Sequence, residues 1–329
     1  MIDVKNLSKR YGEVVALDQI SFTVARGEIV AFLGPNGAGK TTTMRILAGL
    51  IPATDGNVSV AGFNVFDQPL EVKRRIGYLP DTPPLYTEMT VNEYLTFFGR
   101  IRGLRSAALT SARFAILEKC GLTAVATCLI AHLSRGYRQR VGLAQAMIHT
   151  PEILILDEPT VGLDPNQIIE IRKLIQTFGG EHTVILSTHI LPEATATCEK
   201  AVIINRGRIV AIDTIERLTA QMRKSEKTLL RVRHGDSTPT DAFLNLPGVT
   251  HVSLQHSETS PAIAGESVWV VESAMGTDVR EALARRVIEQ GFGLLQMQPV
   301  AESLEDVFLQ LTTQEETDGR AGSERAEIV

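Results

Sequence analysis

Four residues separate Gly34 from Gly39 in the run Gly34-Pro35-Asn36-Gly37-Ala38-Gly39-Lys40-Thr41-Thr42, and the pattern GxxxxGK[ST] is complete. The residue types ask for a polyphosphate. Glycines let the backbone wrap around a phosphate with its N–H groups turned inward, and a helix starting there adds positive potential. Lys40 suits the β- and γ-phosphates as a point charge, and the Thr41 hydroxyl suits Mg²⁺. A second group, Asp157-Glu158, closes the apolar run ILILDE. There Asp157 is fitted to hold Mg²⁺ through water, and Glu158 to polarise an attacking water as a general base. The plainer reading makes either acid a cap for the Pro159-Thr160 turn. A third group lies in LSRGYRQRVGLAQ, where Ser134 and Gly136 open a helix. A hydroxyl and free backbone N–H groups at a helix start form an anion site, or an ordinary N-cap. The fourth is His189, which closes the apolar run TVILSTH.

These groups need elements to hold them. EIVAFLG (28–34), EILILDEP (152–159) and TVILSTH (183–189) are nearly continuous apolar runs. They suit strands buried on both faces of a parallel sheet with helices on either side. TTTMRILAGL (41–50) and NQIIEIRKLIQTFGG (166–180) read as the intervening helices, the latter closed by glycine. In such a sheet ligands bind at the carboxyl ends of the strands. If the strand ending at His189 lies beside the one ending at Asp157, both reach that edge. Residues from about 84 to 150 are rich in helical patterns and read as an inserted helical subdomain.

The character changes near residue 225. TLLRVRHG (228–235), GVTHVSLQH (248–256), SVWVVESA (267–274) and GLLQMQPV (293–300) read as strands, with helices over 277–291 and 303–312. This is a small α+β domain of residues 219–312. The stretch 313–329 has almost no apolar content and is expected to be disordered. The 329 residues are 44% hydrophobic and 22% charged, with net charge −5. That balance is globular and carries no electrostatic footprint for nucleic acid. No run is long and apolar enough for a membrane span, and the N-terminus lacks the apolar core of a signal peptide. Cys120, Cys128 and Cys198 form no CxxC pair and read as small reduced core residues. His234, His251 and His256 are scattered among strands and suggest no metal site.

The ordered motifs over residues 1–218 resemble the ATP-binding subunit of an ABC transporter. The phosphate loop is followed by IGYLPD (76–81) at the place of the family's glutamine loop. LSRGY (133–137) is similar to its signature LSGGQ, ILILDE is followed by GLD (162–164) at the D-loop, and His189 matches the switch histidine. The strings IGYLPDTPPLYTEMTVNEYL, LSRGYRQRVGLAQAMIH and LDEPTVGLDPNQIIEIR bring the likeness nearest to ABC-2-type export systems of the gliding-motility-associated kind. The resemblance implies a P-loop NTPase core with antiparallel β and helical subdomains, and hydrolysis of ATP with Mg²⁺. It implies that Tyr11 stacks on adenine, that Glu158 and His189 are catalytic, and that Asp164 belongs to the D-loop. Asp81 stands where the family has a glutamine; a carboxylate still suits Mg²⁺ or its water, and a turn residue before Pro83-Pro84 is the alternative. Arg135 and Tyr137 replace the second glycine and the glutamine of the signature.

The resemblance also implies a head-to-tail dimer in which Ser134 and Gly136 cap the γ-phosphate of ATP held by a second copy. It implies a separate polytopic membrane permease, met through the helical subdomain near Leu85, Tyr86, Phe97 and Phe98, and a peripheral place on the cytoplasmic face of the inner membrane. Export is the expected direction, and the cargo is not written in this chain. Two other readings compete: a soluble ABC ATPase acting on a non-membrane complex, and a scaffold that binds nucleotide without hydrolysis. The single cassette without coiled-coil or zinc insertions opposes the first, and the presence of both Glu158 and His189 opposes the second.

Overall fold

A computed structural model of the protein describes residues 1–221, 226–233, 243–255 and 266–300, with Phe308. Apart from Phe308, the expected helix over 303–312 and the expected disorder of 313–329 lie outside the described residues, as do His234 and His256. The chain divides into two compact units, one over Met1–Glu216 and one over Arg217–Gln310.

In the first unit, alternation of apolar and polar residues produces an antiparallel sheet. Strand β1 (Ile2–Tyr11) buries Ile2, Val4 and Leu7, and β2 (Val14–Val24) buries Leu17, Ile20, Phe22 and Val24. With β4 (Asp55–Val60) and the short β5 (Phe63–Asn64), the order is β2-β1-β4-β5. Where alternation gives way to continuous apolar runs, strands pair in parallel and are covered on both faces. These are β3 (Ile29–Leu33), β6 (Ile76–Leu79), β7 (Ile153–Asp157), β8 (Thr183–Thr188) and β9 (Lys200–Asn205). Strand β10 (Arg208–Thr214) adds to β9 antiparallel, and the order is β10-β9-β3-β8-β7-β6. Every residue of β7 and β8 is buried.

The register matters for function. Strands β7 and β8 are neighbours, with Asp157 opposite Ser187, so the strands preceding Glu158 and His189 end at the same edge. Strand β3, which leads into the phosphate loop, lies on the other side of β8 with Leu33 opposite Thr188. Helices α1 (Lys40–Leu47), α2 (Pro69–Arg75), α6 (Pro165–Gln176) and α7 (Leu191–Thr197) connect these strands, and α8 (Ile215–Gln221) follows β10. The insertion between β6 and β7 carries α3 (Val91–Ile101), α4 (Ser106–Lys119) and α5 (Arg135–Met147). Helix α3 opens on a capping box, in which Thr90 and Glu93 satisfy each other's backbone N–H, and it buries Val91, Tyr94 and Leu95 on one face.

The second unit is an antiparallel sheet of β11 (Glu226–Arg233), β12 (Val249–Gln255), β13 (Glu266–Ser273) and β14 (Gly293–Val300), in the order β12-β13-β11-β14. Helix α9 (Arg280–Glu289) buries Leu283 and Val287 in a core with Leu230, Val232, Phe243, Trp269 and Val271. The expected helix over 277–291 is thus shorter at both ends. Cys120 and Cys198 are buried as expected, and burial pushes both thiols up to about 12. Cys128 is exposed, which corrects its reading as a core residue.

Candidate nucleotide site

The phosphate loop leaves β3 at Leu33 and enters α1 at Lys40. Gly39, the N-cap of α1, has φ 109°, which an L side chain rarely adopts. A Cβ there would lie 2.7 Å from the Ala16 carbonyl oxygen. The turn therefore accepts only glycine, and it aims Lys40 back over the loop. Lys40 is buried, and its Nζ donates to the carbonyls of Gly34 (2.8 Å) and Pro35 (3.2 Å).

Strand β7 ends at Asp157, and Glu158 turns the chain in the left-handed region at φ 49°. Regular strand geometry would send these two side chains to opposite faces. Glu158 is held in that strained turn by its N–H, which meets Ser187 Oγ (3.0 Å) and the Ser187 carbonyl (3.1 Å). Its carboxylate bridges two partners, Lys40 Nζ at 3.3 Å and His189 Nδ1 at 2.9 Å. The Lys40–Glu158 pair is nearly dry, with side chains 6% and 11% exposed. Such a pair persists only if each charge keeps its hydrogen bonds.

Asp157 Oδ1 accepts from Ser187 Oγ at 2.6 Å and from Thr41 Oγ1 at 3.2 Å. Its Oδ2 is buried without a hydrogen-bond partner. Burial holds this carboxyl above the ordinary carboxylate range; the Ser187 and Thr41 hydroxyls oppose the shift, and the charges of Asp81 and Glu158 add to it. Across the sheet, burial followed by the charge of Asp157 pushes the Tyr78 phenol up to about 12. An orphaned carboxylate oxygen beside a threonine hydroxyl is a pair of hard oxygen donors. The residues fit a hard divalent ion with oxygen ligands.

A cavity of about 370 Å³ gathers Ala16, Asn36, Gly37, Gly39, Lys40, Thr41, Thr42, Asp81, Glu158, Val161 and His189. Residues from five distant stretches meet there. Ala16 and Val161 escape sequence reasoning, because apolar side chains give no chemical signal of their own. Ser187 and Glu193 escape it as well. Glu193 is 1% exposed and accepts from Thr160 (2.6 Å) and Thr188 (3.0 Å), bracing the two turns that carry Glu158 and His189. The only sequence signal for Ser187 is its place two residues before His189.

Other expected site residues lie elsewhere. Gly34, Pro35, Ala38 and Asp157 support the cavity without lining it. Tyr11 is 49% exposed with Lys9 Nζ 5.0 Å from its ring centroid, and it is not among the lining residues. Ser134 is the N-cap of α5 and accepts from the Tyr137 N–H at 3.4 Å, while Asp164 caps α6 through the Gln167 N–H at 3.0 Å. Neither they nor Gly136 line the cavity. In the helical insertion Tyr94 is fully buried and Leu85 and Phe98 are half-buried. Tyr86 and Phe97 remain 42% and 38% exposed, their rings 5.8 Å apart.

Residues 17–161 match the family model described as ABC transporter. The chain is 34% identical to the linearmycin resistance ATP-binding protein LnrL of Bacillus subtilis, over 95% of this chain and 98% of that one. It is 35% identical to the Nod factor export ATP-binding protein I of Sinorhizobium fredii, over 96% of this chain and 87% of that one. Among solved structures, it resembles a dimeric post-hydrolysis state of an ATP-binding cassette bound to ADP and Pi, with TM-score 0.60 and 26% identity, over 65% of this chain and 98% of that one.

Proposed function

The chain belongs to the ATP-binding proteins of ABC transporters, and from that premise we propose that it binds and hydrolyses ATP as a dimer to drive transport, in the export direction, through a separate membrane subunit. The observation that carries this reading is the meeting of Lys40, Glu158 and His189 in one cavity. Lys40 is the cation for the phosphates. Its ammonium meets two loop carbonyls and Glu158. A phosphate competes for that ammonium and releases Glu158 from it. Glu158, still oriented by His189, then accepts a proton from the attacking water. The backbone N–H groups of residues 36–42 and the start of α1 hold the phosphates. Thr41 and Asp157 would hold Mg²⁺, with Asp81 beside them, and the ion would neutralise charge on the phosphates.

Ser134 and Gly136 open α5 outside the chain's own cavity, which supports the reading that they serve nucleotide bound by a second copy. Tyr11, which is exposed, is assigned to adenine. The aromatic patch of Tyr86 and Phe97 supports the helical insertion as the surface that meets the membrane subunit. None of the described helices is long and apolar enough to cross a membrane. The protein is assigned to the cytoplasmic face of the inner membrane, bound there through its partner. The second unit, Arg217–Gln310, is assigned an accessory or regulatory role.

The test is to tag the full chain in its native cell, solubilise the membranes in mild detergent and identify what co-purifies. A polytopic membrane protein in stoichiometric amount is the expected result. Recovery only from the soluble fraction, without a membrane protein, would overturn the transporter reading while leaving the ATPase intact.

A further inference from the structure

We propose that Arg135 is a positioning residue that ties the turn offered to the second copy's nucleotide to the wall of this chain's own nucleotide cavity. The proposal rests on the dimer reading above. Arg135 is the first residue of α5, directly after Ser134. Its Nη2 donates to the Val161 carbonyl at 2.9 Å. Val161 lines the chain's own cavity with Glu158 and His189, and its N–H donates to the Glu158 carbonyl at 3.2 Å. Only two hydrogen bonds therefore separate the Arg135 side chain from the Glu158 backbone.

The contact is built on both sides. Gly162 has φ 71°, and a Cβ there would overlap the Arg135 guanidinium. The planar cation therefore lies against bare backbone, a place that suits a guanidinium better than an ammonium. One residue along, the space over Gly136 is filled by the side chain of Gln167, a residue whose backbone N–H donates to Asp164. The turn at Ser134–Gly136 thus rests on residues 161–167 through two adjacent contacts. A shift of Val161 when nucleotide enters this chain's cavity displaces the carbonyl that Arg135 holds. That moves the turn presented to the other copy. Arg135 thereby links the occupancy of one site to the geometry of its neighbour.

The experiment uses the full chain and measures steady-state ATP hydrolysis over a range of ATP concentrations. The variants are Arg135→Ala, Arg135→Lys, Gly162→Ala and the Arg135→Ala/Gly162→Ala double substitution. Binding of a fluorescent ATP analogue is measured alongside, at protein concentrations where the chain is monomeric. Arg135→Ala is expected to leave monomer binding within about twofold, to lower turnover roughly tenfold, the scale of one hydrogen bond from a charged donor, and to bring the Hill coefficient toward 1. Arg135→Lys should recover part of the loss. Gly162→Ala displaces the guanidinium and keeps its charge; it should reproduce the lost cooperativity, and the double substitution should cost little more than either single one.

An unchanged Hill coefficient in Arg135→Ala overturns the proposal. Losses that multiply in the double substitution also overturn it, because they place Arg135 directly on phosphate. The dimer reading is checked separately by size exclusion of Glu158→Gln with ATP. A dimer there with unchanged cooperativity in Arg135→Ala removes only this proposal, whereas no dimer removes both.

Discussion

Glu158 at φ 49° sits in a backbone conformation that costs a non-glycine residue about 1 kcal/mol or more. The strain lets adjacent acids serve different partners, Asp157 meeting Thr41 behind the cavity and Glu158 meeting Lys40 within it. Glu158→Gln keeps the side chain's shape and loses the base. Turnover should fall at least about 100-fold while nucleotide binding persists, as measured by phosphate release beside equilibrium binding. Asp157 has the opposite character. Its raised carboxyl contributes stability below the ordinary carboxylate value and loses it as pH rises through the folded value, so at neutral pH its charge is a cost. Asp157→Asn should raise the Tm of the ligand-free protein and remove Mg²⁺-dependent hydrolysis. His149 gives a pH effect remote from the site. Burial, then the charge of Arg102, depresses it to about 4 from 6.5, opposed by its bond to the Ile76 carbonyl. A depressed histidine contributes stability above 6.5 that is lost as pH falls toward 4. That loss approaches about 3 kcal/mol, and His149→Gln should flatten the stability profile over that window in denaturant titrations.

At the scale of elements, α5 shows how a helix that reads as a surface feature is anchored. Arg135, Arg138 and Arg140 donate to backbone carbonyls of three separate loops, at Val161, at Ile130 and Ala131, and at Cys120. Periodicity in the sequence marks the helix and its apolar face. It does not mark which carbonyls the arginines meet, because those lie 7 to 26 residues away. Ser134→Arg places a cation and a long side chain at the N-cap. It should abolish hydrolysis and leave nucleotide binding to the monomer largely intact; normal turnover would remove the assignment of this turn to a second copy's ATP. The loops at the ends of β7 and β8 follow the same pattern. Asp157, Glu158 and His189 were legible from their types at strand ends, whereas Ser187 and Glu193 were not. A serine or glutamate becomes a brace only when the fold puts a second strand beside it.

For the whole molecule, the two units pose different problems. The first holds every residue assigned to nucleotide chemistry. The second has a core of its own around Trp269 and Phe243, and if it regulates the first, a chain ending at residue 221 should hydrolyse ATP at an altered rate or dimerise differently. Equal rates and equal dimerisation in the full and shortened chains would count against that role. The amino-acid sequence by itself determined the strand–loop–helix around Lys40, the buried strand ending in two acids, the family likeness and the order of the motifs. Those features are local: glycine spacing, apolar runs and helix caps act over a few residues, so they are readable along the chain. Tertiary structure alone decided that Ala16 and Val161 wall the cavity, that Asp157 keeps one oxygen unpaired, and that Arg135 rests on Gly162. Those facts depend on which strands become neighbours and how closely two loops approach, and they are set by packing between residues far apart in sequence.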